Sequence, residues 1–356
     1  MTVAPPCPFA DRVDDITPAW LSWILDAEVA AVDAERVGTG QVGSTYLLTI
    51  TYVADSDGLP GPARLVAKLA ADDPAGRKGV AVGYRNEVGF YTQVAGTVDV
   101  RAPRCWHGAI SDDGTAFTLL LDDLSPARPG VQAAGCSPDA ARAAVRNLAG
   151  LHAPRWNDRS LADLDFLTLT DAETAAFLGA VHVDTTERFV ERYGEVLDAD
   201  DVVTLRDAAA ATGDWAVARP EPFALIHGDY RLDNLMFHPD GKTVTALDWQ
   251  TVSLGPPARD VAYFLGTSLD VAARRAHEEA LVGVYHDELV ARGVAGYDAG
   301  RCFDDYRLGQ LQGPLITVLG SEYATAVRTP EADRMFLAMA TRSCTAIRDL
   351  GSLEVL

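Results

Sequence analysis

The sequence predicts an α+β chain in two lobes, an antiparallel sheet with one helix followed by a larger, mainly helical part. Three observations carry this prediction. Strand-like runs rich in β-branched residues alternate with Gly/Pro/Asp turns over residues 36–70, a Pro/Gly/Ala-rich separator "SPARPGVQAAGCSP" occupies 125–138, and helical periodicity dominates the remainder of the chain. With 356 residues the chain exceeds the roughly 250–300 residues at which single cores stop growing. The lobes are placed at 1–122 and 123–356.

The elements come in order. Thr17-Pro18 opens "TPAWLSWILDAE" with a capping residue and a proline at the first helical position, and Leu21, Ile24, Leu25 and Glu28 continue it at helical spacing. "RVGTGQVGSTYLLTITYVADSDGLPGPARLVAKLA" reads as strand, Gly-rich turn, strand, "DSDGLPGP" hairpin loop and third strand. Val80, Tyr84, Val88 and Tyr91 recur every three or four residues and predict a helix over 73–96 with one buried face. Strands are expected in "RAPRCWHGAI" and "AFTLLLDDL", and Ser137-Pro138 starts the helical remainder. Within that remainder only 223–249 reads as strands, in the order strand, polar loop, strand, "HPDGK" turn, strand.

Composition narrows the function. A net charge of −21 excludes a duplex phosphate backbone as partner, since that affinity comes from Lys and Arg displacing counterions. Five scattered cysteines without a C-x-x-C pair suggest neither a disulfide framework nor a zinc knuckle, and suit a reducing cytoplasm. The start lacks a signal-peptide pattern, and no apolar run is long enough to span a membrane. A cytoplasmic protein with no nucleic-acid or membrane partner is expected, and no protein partner can be inferred.

Three patterns bear on chemistry. "GTGQVG" at 38–43 matches G-x-G-x-x-G through Gly38, Gly40 and Gly43, whose backbone can approach phosphates closely. A dinucleotide-binding turn would open into a helix, whereas the β-rich "STYLLTITYV" comes next here, favouring a glycine flap between antiparallel strands. The chain has three lysines, and Lys68 sits among apolar residues of a strand, where it needs anionic partners such as phosphate and a carboxylate. Glu87, three residues after Tyr84, is placed to meet it. In "ALIHGDYRLDNLMF", Asp229 and Asn234 lie five apart on a loop between strands, offering a proton acceptor and a hard neutral oxygen. Asp248 in "ALDWQ" supplies a carboxylate suited to magnesium. His227 has no second histidine nearby and no nucleophile motif beside it, so it reads as structural.

"HGDYRLDN" resembles the H-x-D-x-x-x-x-N catalytic loop of the kinase-like fold, and its glycine is similar to that of aminoglycoside phosphotransferases and choline-kinase-like enzymes. With "LDW", "LAGLHAPRW" at 148–156 and "GPPARDVAYFL" at 255–265, the resemblance is to the branch of ecdysteroid-kinase-like proteins and the kinase domains attached to some acyl-CoA dehydrogenases. It spans residues 15 to 325 and implies a bilobal protein-kinase-like fold and an ATP- and Mg²⁺-dependent kinase of a small-molecule hydroxyl. By the same resemblance, Gly38, Gly40 and Gly43 cover the ATP phosphates, Lys68 binds them and Glu87 holds Lys68. The backbone around Leu121, Asp122 and Asp123 pairs with adenine, Asp229 is the base, Asn234 and Asp248 hold Mg²⁺, and Asp260 braces the loop. Only eleven residues separate Asp248 from Asp260, which leaves no room for a long activation segment and argues against peptide substrates. Candidates for the acceptor pocket are Arg231, Asp304, Asp305 and Arg307, with Tyr306 between them. The alternatives are a catalytically silent nucleotide-binding protein and a dinucleotide-binding oxidoreductase.

Overall fold

A computed structural model describes residues 7–38, 43–53, 61–323 and 328–356. Two compact units emerge, the first made of residues 1–96 and 102–125, the second of 97–101 and 126–356. The segment 97–101 clusters with the second unit, where Asp99 N–H donates to Gly150 O (2.9 Å) and Arg101 N–H to Asn147 Oδ1 (2.7 Å).

The first unit is a five-stranded antiparallel sheet in the order β1-β2-β3-β5-β4, comprising β1 (Val29–Arg36), β2 (Gly43–Tyr52), β3 (Arg64–Ala70), β4 (Cys105–Ile110) and β5 (Phe117–Asp122). Helix α1 (Pro18–Leu25) is capped by Thr17 and buries Trp20 and Leu21 against Leu48, Ile50, Leu65 and Leu69 of the sheet. It stops at Asp26, whose left-handed backbone (φ 51°) ends the helix three residues earlier than its periodicity suggests, freeing 29–36 to form β1. Helix α2 (Pro74–Gly89) is capped by Asp73 and buries Tyr84, Glu87 and Val88, then widens into a π-helical turn at Phe90–Val94.

Among the described residues of the second unit, eight α-helices accompany two small sheets: α3 (Pro138–His152), α4 (Ala172–Tyr193), α5 (Ala199–Val217), α6 (Ala258–Ser268), α7 (Val271–Ala291), α8 (Ala299–Gly309), α9 (Gln312–Tyr323) and α10 (Pro330–Leu350). The strands are β6 (Arg128–Pro129), β7 (Ala224–Ile226), β8 (Leu235–Phe237), β9 (Val244–Ala246) and β10 (Ser253–Gly255), paired as β6-β8-β9 and β10-β7. Strand β10 lies beyond the expected strand region because its three residues carry no alternation to read. Helix α6 is buried along its whole length, so it is the central post of the unit. Among the described residues no helix is long and apolar enough to cross a membrane. The antiparallel sheet and helical remainder are the α+β arrangement the sequence predicts.

Candidate functional site

In the first unit, β3 places Lys68 opposite α2, and its Nζ contacts both carboxylate oxygens of Glu87 at 2.8 and 2.7 Å. Glu87 is buried while Lys68 keeps a partly exposed edge. Gly38 has φ 76°. Gly43 opens β2, and a Cβ there would lie 2.8 Å from Leu69 O, so only glycine lets β2 and β3 approach at this point. Gly40 and the "DSDGLP" part of the hairpin loop lie outside the described residues. At the end of β5, Leu121 is in register with Val66 and Cys105. Asp122 accepts from Trp106 Nε1 (2.7 Å), while Asp123 pairs with Arg64 (2.9 Å) and caps Ser125. The Asp122 N–H is spent on Arg104 O (3.0 Å), so the expected adenine contact cannot use that amide.

The last glycine of the pattern, Gly43, opens strand β2 and not a helix. That overturns the dinucleotide-binding alternative, which needs a helix N-terminus behind the glycines.

In the second unit, the buried strand β7 feeds His227 into the polar loop. Gly228 has φ 79°, and a Cβ there would sit 2.8 Å from Thr251 O, so the turn requires glycine twice over. The His227 ring lies against Trp249, with centroids 4.6 Å apart. Its Nε2–H donates to Leu247 O (2.9 Å) and its Nδ1 accepts from Asp229 N–H (3.3 Å), which defines a neutral ring tying the loop to the segment that carries Asp248. Asp248 itself takes the left-handed conformation, φ 62°.

Helix α6 holds the loop from below. Asp260, fully buried, accepts from His227 N–H (2.6 Å) through Oδ2 and from Gly228 N–H (3.0 Å) through Oδ1. His152, from the "LAGLH" motif, contacts it through Nε2 (3.3 Å) and is steadied at Nδ1 by Tyr285 OH (2.7 Å).

Asp229 is surrounded by donors. Tyr263 OH donates to Oδ1 (2.7 Å), while Arg231 Nε (3.1 Å) and Asn234 Nδ2 (2.9 Å) donate to Oδ2. Asn234 Nδ2 also reaches Asp229 O (2.9 Å), a pure acceptor, which fixes the amide so that its oxygen faces away from Asp229. Burial raises the Tyr263 hydroxyl well above its ordinary value, and the Asp229 carboxylate raises it further, so it remains a donor. Burial works to lower Arg231, but Asp229, Tyr263 and Asp233 outweigh it and hold the guanidinium charged. Arg231 Nη1 also contacts Asp233 Oδ2 (2.7 Å) and Met335 Sδ (3.0 Å).

The donor set suits magnesium of the kind that relies on substrate phosphates. Among the described residues no cluster of three or more His, Cys, Asp or Glu could cage an ion, and an ion held here would have to draw on a single carboxylate such as Asp248, the outward-facing Asn234 oxygen and phosphate oxygens.

The acceptor-pocket candidates on α8 are engaged with neighbouring side chains. Asp305 is bound by Arg219, by Arg301 Nε (2.9 and 3.0 Å) and by Tyr297 OH (3.1 Å). Asp304 contacts Arg307 (3.5 Å), whose Nε is spent on Leu350 O (2.8 Å), and Tyr306 OH bonds Glu278 (2.9 Å). None of these partners belongs to the loop of Asp229.

Two residues escaped the sequence reading. Gln132, inside the separator, is buried, donates from Nε2 to Thr267 O (3.0 Å), accepts Leu232 N–H through Oε1 (2.8 Å) and gives its own N–H to Asp233 (2.9 Å). Tyr263 carries one usable signal, its place three residues after Asp260, which puts both on one face of a helix.

The ecdysteroid kinase-like family model matches residues 45–293, and the chain belongs to that family. It is similar to acyl-CoA dehydrogenase family member 10 of Mus musculus, with 54% identity over 46 residues, 13% of this chain and 4% of that protein. It is likewise similar to family member 11 of Gallus gallus, with 46% identity over 54 residues, 14% and 7% of the two chains. These matches therefore cover a small fraction of the relatives' length. Among solved structures, choline kinase from Cryptosporidium parvum Iowa II shares the fold at TM-score 0.55 and 11% identity, over 91% of both chains. A Plasmodium vivax ethanolamine kinase shares it at TM-score 0.51 and 10% identity, covering 98% of this chain and 93% of that one. The GDP complex of wild-type aminoglycoside 2′-phosphotransferase-IIIa does so at 0.50 and 14%, covering 89% and 94%. The fold is that of small-molecule kinases.

Proposed function

We propose that the protein transfers the γ-phosphoryl group of ATP to a hydroxyl of a small molecule, with Mg²⁺. The single observation that carries this reading is the Asp229–Asn234 arrangement, a carboxylate held by three donors beside an amide whose oxygen is turned outward. Asp229 is the base that orients the acceptor hydroxyl and receives its proton, and Asn234 and Asp248 are the metal ligands. Magnesium, when bound, neutralises charge on the β- and γ-phosphate oxygens. Lys68, held by Glu87, supplies a cation for phosphate, and Gly38 and Gly43 let backbone amides approach it. His227 and Asp260 keep the loop in shape. Phosphoryl transfer asks the protein mainly for positioning and charge compensation, which such groups provide.

The solved relatives are titled as kinases of choline and ethanolamine and as a GDP-bound aminoglycoside phosphotransferase, which supports nucleotide use and a small hydroxyl acceptor. The five free cysteines fit a reducing cytoplasm. A catalytically silent nucleotide binder is disfavoured because the carboxylates expected of base and metal ligand are both present. The test is an ADP-release screen with MgATP across sugars, amino sugars, aminoglycosides, sterols, choline-like alcohols and hydroxyacyl thioesters. Acceptor-dependent ADP that EDTA abolishes is expected. Equal release with and without every acceptor, unaffected by EDTA, would overturn the reading.

A further inference from the structure

We infer that Tyr263 is a positioning residue for the transfer, and that it reserves Oδ1 of Asp229 as the oxygen that takes the acceptor's proton; this rests on the phosphotransferase reading. A carboxylate offers two lone-pair sites on each oxygen. At Asp229, Oδ2 already accepts two hydrogen bonds, from Arg231 Nε (3.1 Å) and Asn234 Nδ2 (2.9 Å). Oδ1 accepts one among the described residues, from Tyr263 OH (2.7 Å). The remaining site is therefore on Oδ1, and an acceptor hydroxyl that donates to Asp229 does so there, beside the tyrosine oxygen.

Helix geometry explains why this donor is reliable. Asp260 and Tyr263 stand three residues apart on one face of α6, a helix buried throughout. Asp260 fixes the backbone amides of His227 and Gly228 while Tyr263 fixes the carboxylate of Asp229. One turn of one helix thus sets both the path of the loop and the direction of its functional side chain. Rotation of the carboxylate about Cβ–Cγ would cost the Tyr263 bond, and the tyrosine, itself about 1% exposed, cannot follow.

In the transfer, the acceptor oxygen forms its bond to Pγ as the bond from Pγ to the bridging oxygen breaks. The bridging electron pair leaves with ADP. The acceptor proton passes to Oδ1 and then to solvent. Tyr263 keeps its own proton throughout and acts only through Asp229.

The test compares wild type, Tyr263→Phe, Asp229→Asn, the double variant and Thr267→Val. Thr267 lies one turn further along α6, and its hydroxyl donates to Tyr263 O (2.6 Å), so Thr267→Val controls for loss of a buried hydroxyl from the same helix. Crystal structures with Mg·AMP-PNP are expected to show Oδ1 of Asp229 displaced by more than about 0.5 Å in Tyr263→Phe, outside the tolerance of a preorganised site, while the bonds of Asp260 persist. ADP release, with water and with the hydroxyl panel, is expected to fall about tenfold in kcat in Tyr263→Phe with Mg·AMP-PNP affinity unchanged. Thr267→Val is expected to turn over like wild type. In the Asp229→Asn background, Tyr263→Phe is expected to change the rate by less than about twofold, as for residues that act as one unit. An unmoved Asp229 in Tyr263→Phe, or full additivity of the two substitutions, would overturn the inference. A wild type that binds Mg·AMP-PNP but releases no ADP with any probe would sink the proposed activity, and the crystal structures would still decide the role of Tyr263.

Discussion

Replacing Asp260 tests how the loop is held. Its carboxylate is fully buried and accepts His227 N–H at 2.6 Å, Gly228 N–H at 3.0 Å and contacts His152 Nε2 at 3.3 Å. Asp260→Ala leaves two backbone amides without an acceptor in a place water does not reach. Hydrogen bonds to a charged group contribute about 1.5–3 kcal/mol each, so two give roughly 3–6 kcal/mol. Removing a buried charge recovers part of its desolvation cost, which puts the expected loss near the lower end, about 3–4 kcal/mol. Asp260→Asn is nearly isosteric yet keeps one acceptor oxygen and turns an NH₂ toward an N–H, so it is expected to lose at least about half as much. Equilibrium denaturation measures both values, and hydrogen exchange at His227 and Gly228 reports the amides directly. Stability within about 1 kcal/mol of wild type for Asp260→Ala, with both amides still protected, would show that Asp260 does not hold the loop.

Gly228→Ala is expected to destabilise by more than about 2 kcal/mol, combining the left-handed penalty with a Cβ only 2.8 Å from Thr251 O, and thermal or chemical denaturation would measure it. His182 is buried against Thr212, and burial lowers it from 6.5 to about 4. Because the folded value lies below the unfolded one, its contribution is complete above pH 6.5 and is lost as the pH falls toward 4, by up to about 3 kcal/mol. His182→Gln should flatten the stability profile over that window, and an unchanged profile would assign the acid sensitivity to other groups. Asp229→Asn is expected to cut acceptor-dependent ADP release by about 10² to 10⁴ while nucleotide affinity stays within about threefold, measured side by side on the two proteins.

The parts of the fold that obey local rules were legible in the sequence. Thr17, Asp73 and Ser137 cap the helices they precede, each accepting a backbone N–H from the first turn, and the meander needed only its turn punctuation to be recognised. At the candidate site, the residues of "HGDYRLDN" could be singled out because their spacing has a chemical reason. The hidden part was tertiary. Nothing local marks Gln132, whose importance comes from Leu232, a hundred residues on, nor does the sequence reveal that Asp305 answers to Arg219 and Arg301. Strand β10 is hidden for a related reason, since its three residues become a strand only through pairing with β7. Conversely, helical spacing carries the expected first helix to residue 28, past the point where Asp26 turns left-handed and ends α1.

The proposed phosphotransferase activity requires the chain to bind a magnesium-bound nucleoside triphosphate, with Asp248 and Asn234 at the metal. Calorimetric titration of Mg·AMP-PNP into wild type and Asp248→Ala tests it most directly. Saturable binding by wild type is expected, weakened at least about tenfold by EDTA or by Asp248→Ala, since each removes charge compensation at the phosphates. No measurable binding by wild type at millimolar Mg·AMP-PNP, or equal affinity in the two proteins, would contradict it.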